Sequence, residues 1–156
     1  MTATVISLVA FKGGVAKTSS TAMISYNLAK RNYKVIMVDL DPQANLTAIS
    51  LRTKLAQLGE NANTVIDSSL MKAVQDDDLS EAQINIMPNL DLIGSSMDFS
   101  LYPEYMLNRS QSMKEQVKYL DELLKPIIKD YDFCIIDTPP TLSLYLSSAL
   151  YASDFA

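Results

Sequence analysis

Two lysines and a threonine lie close together near the start of the chain, in Lys12-Gly13-Gly14-Val15-Ala16-Lys17-Thr18. Glycines let the backbone N–H groups of such a loop turn inward, and a helix starting at its end adds the positive end of its dipole. That chemistry suits phosphate. Lys17 would reach the β- and γ-phosphate oxygens as a point charge, the Thr18 hydroxyl would ligate magnesium, and Ser19 would hold the α-phosphate. Gly13, Gly14, Val15 and Ala16 would supply the backbone cradle. The ordinary pattern G-x-x-x-x-G-K-[ST] asks for glycine where this chain has Phe11 and Ala16, so the loop needs support from elsewhere.

Two carboxylates supply it. Asp41 follows an apolar run in Val38-Asp39-Leu40-Asp41-Pro42-Gln43, and Asp137 closes another in Cys134-Ile135-Ile136-Asp137-Thr138-Pro139-Pro140. In a parallel sheet both arrive at the carboxyl edge, where the loop also lies. One such aspartate can hold the water shell of magnesium while another orients an attacking water.

The elements that must position these groups can be read from apolar periodicity. Val5–Phe11, Val35–Val38 and Tyr131–Asp137 read as strands buried on both faces. Between the first two, Thr18–Arg31 reads as a helix, giving a βαβ unit with a right-handed crossover. Further helices are expected at Asn45–Leu58, Thr64–Gln75, Ser112–Lys129 and Leu142–Ala152, with a polar link at Gly59–Asn63. Residues 98–108 read as helical but interrupted by Pro103. Ile84–Met87 and Leu90–Gly94 read as short strands around a Pro88-Asn89 turn. Ser153–Ala156 looks like the lead-in to another strand. Strands alternating with helices give an α/β fold with a mostly parallel twisted sheet flanked by helices.

Composition narrows the chemistry. The 156 residues include no histidine, which removes His-based acid–base catalysis and His metal sites, and one cysteine, Cys134, which removes internal disulfides. The net charge of -5 is not the footprint of a free-standing nucleic-acid binder. Apolar runs fall well short of the roughly 20 residues of a membrane span, so a soluble protein is expected. Cys134 reads as a small buried apolar side chain, Asp76-Asp77-Asp78 as a solvated helix end, and Tyr102, Tyr105 and Met106 as packing. The lysines and acids of the 112–129 helix read as a solvated face.

With these residues in view, the chain resembles the ParA-type partition ATPases, within the group of P-loop NTPases that carry a deviant Walker A motif. Their loop is K-G-G-x-G-K-[ST], matched here from Lys12 to Thr18 except at Ala16, and they do not require glycine where Phe11 stands. Asp39-Leu40-Asp41-Pro42-Gln43 resembles their switch I segment, and Asp137-Thr138-Pro139-Pro140 their Walker B strand end with switch II. Ser148–Asp154 is similar to their A-L-x-A-S-D stretch.

The resemblance implies ATP and Mg2+ as cofactors, with Lys12, Lys17 and Asp41 as catalytic residues. Lys17 binds phosphates, and Lys12 reaches the partner's phosphates across a nucleotide-sandwich homodimer. Asp41 positions the hydrolytic water, Thr18 ligates magnesium, and Asp137 supports it through water. Gln43 couples switch I to the dimer interface. It further implies a slow ATPase stimulated by a centromere-binding, ParB-like adaptor, nonspecific DNA binding by the dimer, and a cytoplasmic, nucleoid-associated life without a membrane. Residues 1–156 would be the N-terminal part of a single P-loop ATPase domain, with its C-terminal strands and helices missing. The rivals are a MinD-like ATPase cycling on membranes, in which Asp41-Pro42-Gln43 is not usual, and an interaction module that binds nucleotide without hydrolysing it. A reductase like the nitrogenase iron protein lacks its cluster cysteines here. At Ala16 the extra methyl group is expected to leave binding intact.

Overall fold

The computed structural model describes residues 3–10, 12, 14–58 and 68–156. In chain order it contains β1 (Thr4–Leu8), α1 (Lys17–Lys30), β2 (Val35–Asp39), α2 (Asn45–Leu58) and α3 (Leu70–Gln75). These are followed by β3 (Gln83–Met87), β4 (Leu90–Ile93), α4 (Tyr102–Arg109), α5 (Met113–Ile128), β5 (Phe133–Asp137) and α6 (Leu144–Ala152). Short 3-10 turns cover Ser80–Ala82 and Met97–Leu101.

The strands form one sheet in the order β1-β5-β2-β4-β3. All neighbours are parallel except the β3–β4 hairpin, which turns at Pro88-Asn89 as the sequence suggests. Asn89 takes a φ of 66°, a left-handed turn conformation that asparagine tolerates. β5 lies between β1 and β2, with Leu8 level with Asp137 and Asp137 level with Asp39. The carboxyl ends of these three strands are therefore side by side.

Because successive strand residues face opposite ways, the buried strands feed two cores. Val5, Ile36, Val38, Cys134 and Ile136 face the layer that includes α3, α4, α5 and α6. Val35, Met37 and Ile135 face the other, with Ala29 of α1 and Leu46 of α2. Cys134 is fully buried and burial pushes its thiol up to about 12, so it acts as core. α5 follows the same logic: Leu120, Leu123, Leu124, Ile127 and Ile128 are buried, while Lys118–Glu122 and Asp121–Lys125 pair across single turns outside. The Ser112 hydroxyl accepts the Glu115 N–H and caps its start.

Several boundaries differ from expectation. β1 ends at Leu8, level with the end of its partner β5, rather than running toward Phe11. Phe11, the 59–63 link and residues 64–67 of the expected third helix lie outside the described residues. What is seen of that helix starts at Leu70, capped by the Ser69 hydroxyl. Pro103 does not interrupt the 98–108 segment. It sits in the first turn of α4, where a missing N–H costs nothing, and the residues before it form the 3-10 turn. Asp76 pairs with Lys72, and Asp77 with Arg109 and the Tyr119 hydroxyl. Among the described residues no cluster of acidic, His or Cys groups could hold a metal by itself. Beyond α6, Asp154 and Phe155 donate backbone bonds to Val5, and Phe155 forms a single parallel bridge with Ile6 on the open edge of β1.

Candidate functional site

β1 leads into the loop and α1 leaves it, so the positive end of α1 points toward the sheet's carboxyl edge. Gly14 has a φ of 76°, the left-handed region that glycine enters at no cost. Ala16, at the N-cap of α1, sits at φ 59°, ψ 20° in the same region without side-chain capping. A glycine would take this conformation freely, whereas alanine carries the strain of its Cβ, about 1 kcal/mol.

Lys17 and Thr18 both turn to β5. The Lys17 Nζ donates to Asp137 Oδ1 at 2.9 Å and to the Thr138 carbonyl, and the Thr18 hydroxyl donates to Asp137 Oδ2 at 2.7 Å. Lys17 and Asp137 side chains are 10% and 1% exposed, so this pair is shielded from water. The Thr138 hydroxyl donates back to the Leu8 carbonyl at 3.0 Å, tying the end of β5 to the end of β1. Asp137 is thus the floor on which the loop's two functional side chains rest.

Above that floor is a cleft of about 350 Å3. Of the expected site residues, Lys12, Gly14, Val15, Ala16, Lys17, Thr18, Ser19 and Asp41 line it, with Lys12 exposed at its rim. Gly13 lies outside the described residues. Asp137 is below the lining, in contact through Lys17 and Thr18. The cleft also has walls that the sequence did not single out: Asn45 and Ile49 of α2, and Pro140 beyond β5. Asn45 and Ile49 are one helical turn apart, so the placement of α2 beside the loop would have been the signal.

A magnesium ion fits this donor set. Mg2+ prefers hard oxygens and is commonly held by one or two protein groups plus phosphates and water. The Thr18 hydroxyl and the Asp137 carboxylate are such oxygens, adjacent to each other and to the positive end of α1.

The carboxylates at the end of β2 and just beyond it are placed differently. Asp41 reaches the cleft, and its Oδ1 accepts the Gln43 N–H at 2.9 Å. Asp39, two residues earlier, is fully buried and accepts the N–H and hydroxyl of Thr47 and the N–H of Asp41. Burial raises its pKa to about 6, against the opposing pull of those hydrogen bonds and with a smaller push from Asp137. Sequence reasoning singled out Asp41 and left Asp39 as part of a motif.

Residues 3–156 match the protein family described as the AAA domain. The chain is 34% identical over 148 residues to the virulence plasmid ParA family protein pGP5-D of Chlamydia psittaci, covering 93% of this chain and 52% of that one. A plasmid partition protein from Borrelia burgdorferi B31 bound to AMPPNP has a TM-score of 0.77 at 30% identity, over 99% of this chain and 61% of that one. Cobyrinic acid a,c-diamide synthase from Mycobacterium smegmatis with bound ADP and magnesium gives 0.78 at 28%, over 97% and 56%. The chain spans about half the length of the curated relatives it matches. Together with the loop and the two carboxylate-bearing strand ends, these likenesses mean that the chain belongs to the AAA-domain family, in its ParA-type, deviant Walker A group of P-loop NTPases.

Proposed function

We propose that this chain is the nucleotide-binding part of an ATP-dependent partition ATPase, in which ATP and magnesium drive sandwich dimerisation and slow hydrolysis resets the dimer. The observation that carries the reading is one cleft that gathers Lys12, Lys17, Thr18 and Asp41 above the buried Asp137. Lys17 and the loop amides would hold the phosphates, Thr18 the magnesium, and Asp137 its water shell. Asp41, on a half-buried loop, would orient the attacking water. The exposed position of Lys12 supports a role across the dimer, where its charge would neutralise the partner's transition state. The nucleotides named for two structural neighbours support the ligand class.

On this reading the dimer binds DNA nonspecifically, a ParB-like adaptor stimulates hydrolysis, and the protein works in the cytoplasm on the nucleoid. No helix among the described residues is long and apolar enough to cross a membrane.

The test is phosphate release from ATP by the intact protein, with and without DNA and the adaptor, beside Lys12→Ala. Stimulated turnover that disappears in Lys12→Ala, with ATP affinity retained, is the expected result. ATP binding without turnover under every condition would replace the reading with a non-hydrolysing interaction module. Stimulation surviving in Lys12→Ala would remove the trans role of that lysine.

A further inference from the structure

The segment that carries Asp41 runs from Leu40 to Leu46, between the end of β2 and the first turn of α2. Its two ends meet on one side chain. Asp39 Oδ1 accepts the Asp41 N–H at 3.1 Å, while Asp39 Oδ2 accepts the Thr47 N–H at 2.9 Å and the Thr47 hydroxyl at 2.8 Å. Inside the loop, the Ala44 N–H donates to the Asp41 carbonyl and the Gln43 N–H to the Asp41 carboxylate. Ala44 is held at φ 54°, a left-handed conformation unfavourable for alanine. Such strain persists where surrounding contacts over-determine the backbone.

Thr47 also joins a third element. Its hydroxyl accepts the Ser95 N–H at 2.9 Å, just past β4. Gly94 leaves room for this, since a Cβ there would lie 3.0 Å from the Thr47 methyl and 3.3 Å from its hydroxyl. Asp39, Thr47 and Ser95 are all buried, so water does not compete for these bonds.

We propose that Asp39 is a positioning residue for Asp41: one buried carboxylate clasps both ends of the 40–47 loop and thereby sets where Asp41 stands over the phosphate cleft. The proposal rests on the hydrolytic reading above for its effect on turnover, but the clasp is also readable without turnover. The plainer role for Asp39 is a remote cap on α2, because Thr47 lies in that helix's first turn. A cap contributes stability, typically about 1 kcal/mol, and leaves turnover by the folded molecules unchanged. A clasp governs turnover itself, because displacing a catalytic group by about 1 Å can cost about 100-fold.

Asp39→Asn keeps the shape but leaves an amide that can accept at one end of the loop only, so it opens the clasp. In the intact protein it is expected to lower adaptor-stimulated kcat roughly 10- to 100-fold with KM for ATP within about twofold. Thr47→Val removes the shared hydroxyl and is expected to lower kcat in the same manner, and Thr47→Ser to restore most of that loss. Should Asp39→Asn not fold, the Thr47 pair carries the test. Hydrogen exchange supplies the independent readout, with amides of residues 41–47 exchanging at least about tenfold faster in Asp39→Asn or Thr47→Val and those of β2 and β5 unchanged. Unchanged kcat in folded variants, or loss only in proportion to thermal unfolding, overturns the proposal. If the wild type binds ATP but never hydrolyses it, the hydrolytic reading falls and exchange alone decides: local loosening at 41–47 sustains the clasp, and its absence removes it.

Discussion

Ala16 concentrates the difference between this loop and the pattern of its family. Its left-handed backbone is the conformation for which glycine is normally used, and nothing in a side chain caps the helix there. Ala16→Gly is expected to raise stability by up to about 0.5 kcal/mol, the relieved strain less the added chain entropy. Calorimetry should show a rise of up to roughly 2 °C in Tm, and a fall would mean that the methyl group makes contacts worth more than its strain. Asp39 makes a second prediction. Its carboxyl ordinarily titrates near 3.8 and is raised to about 6 in the fold, chiefly by burial. The native state therefore holds this proton more firmly than the unfolded chain, so its contribution to stability is fullest below about 4 and declines as pH rises to about 6. Urea titrations without nucleotide or magnesium should show that the difference between wild type and Asp39→Asn changes over this window and is flat above it. A difference that grows in favour of the wild type with rising pH would contradict the raised value. Lys17, Thr18 and Asp137 were legible as a site because strand, loop and helix signals surround them. Asp39 was not, since D-x-D spacing alone does not tell which carboxylate turns inward.

Between residue and whole, α6 follows the segment whose Pro140 lines the cleft. It is anchored by three rings: Phe99 lies 5.0 Å from Tyr102 and 5.4 Å from Tyr145, and those two lie 5.7 Å apart. The Tyr145 hydroxyl donates to the Phe99 carbonyl at 2.9 Å, so the 3-10 turn, α4 and α6 are joined at one point. Phe99→Ala is expected to cost about 3–5 kcal/mol, measured by chemical denaturation. ATP affinity of the molecules that remain folded should be unaltered, because none of the three rings lines the cleft. A loss of affinity without a loss of stability would show that the anchor acts on the switch instead. The sequence suggested that Tyr102, Tyr105 and Met106 pack inside; Tyr102 and Met106 are buried, and Tyr105 is half-buried against the same core. It could place Pro103 in the middle of a helix only because apolar spacing does not register the change from 3-10 to α geometry. Likewise the apolar runs identified β1, β2 and β5 but not their order, because adjacency depends on which strand ends must share the carboxyl edge and not on any local period.

For the whole molecule, binding and folding are one equilibrium. Nucleotide at about 100 times its dissociation constant is expected to add about 2.7 kcal/mol to stability if it binds only the folded state. Thermal unfolding with ATP and magnesium, then with EDTA added, should show the rise and remove most of it; a rise indifferent to EDTA would separate magnesium from binding. The strand order has a consequence for synthesis. β1 emerges from the ribosome with the phosphate loop behind it, well over a hundred residues ahead of its register partner Phe133–Asp137. At about 5–20 residues per second, β1 waits roughly ten seconds for the strand that will seat it. During that interval Lys17 and Thr18 have no Asp137 to rest on, and the apolar β1 presents unpaired edges to whatever is nearby. A nascent chain can therefore seat this loop on Asp137 only once β5 has followed it out of the ribosome, so the loop is written long before its support exists.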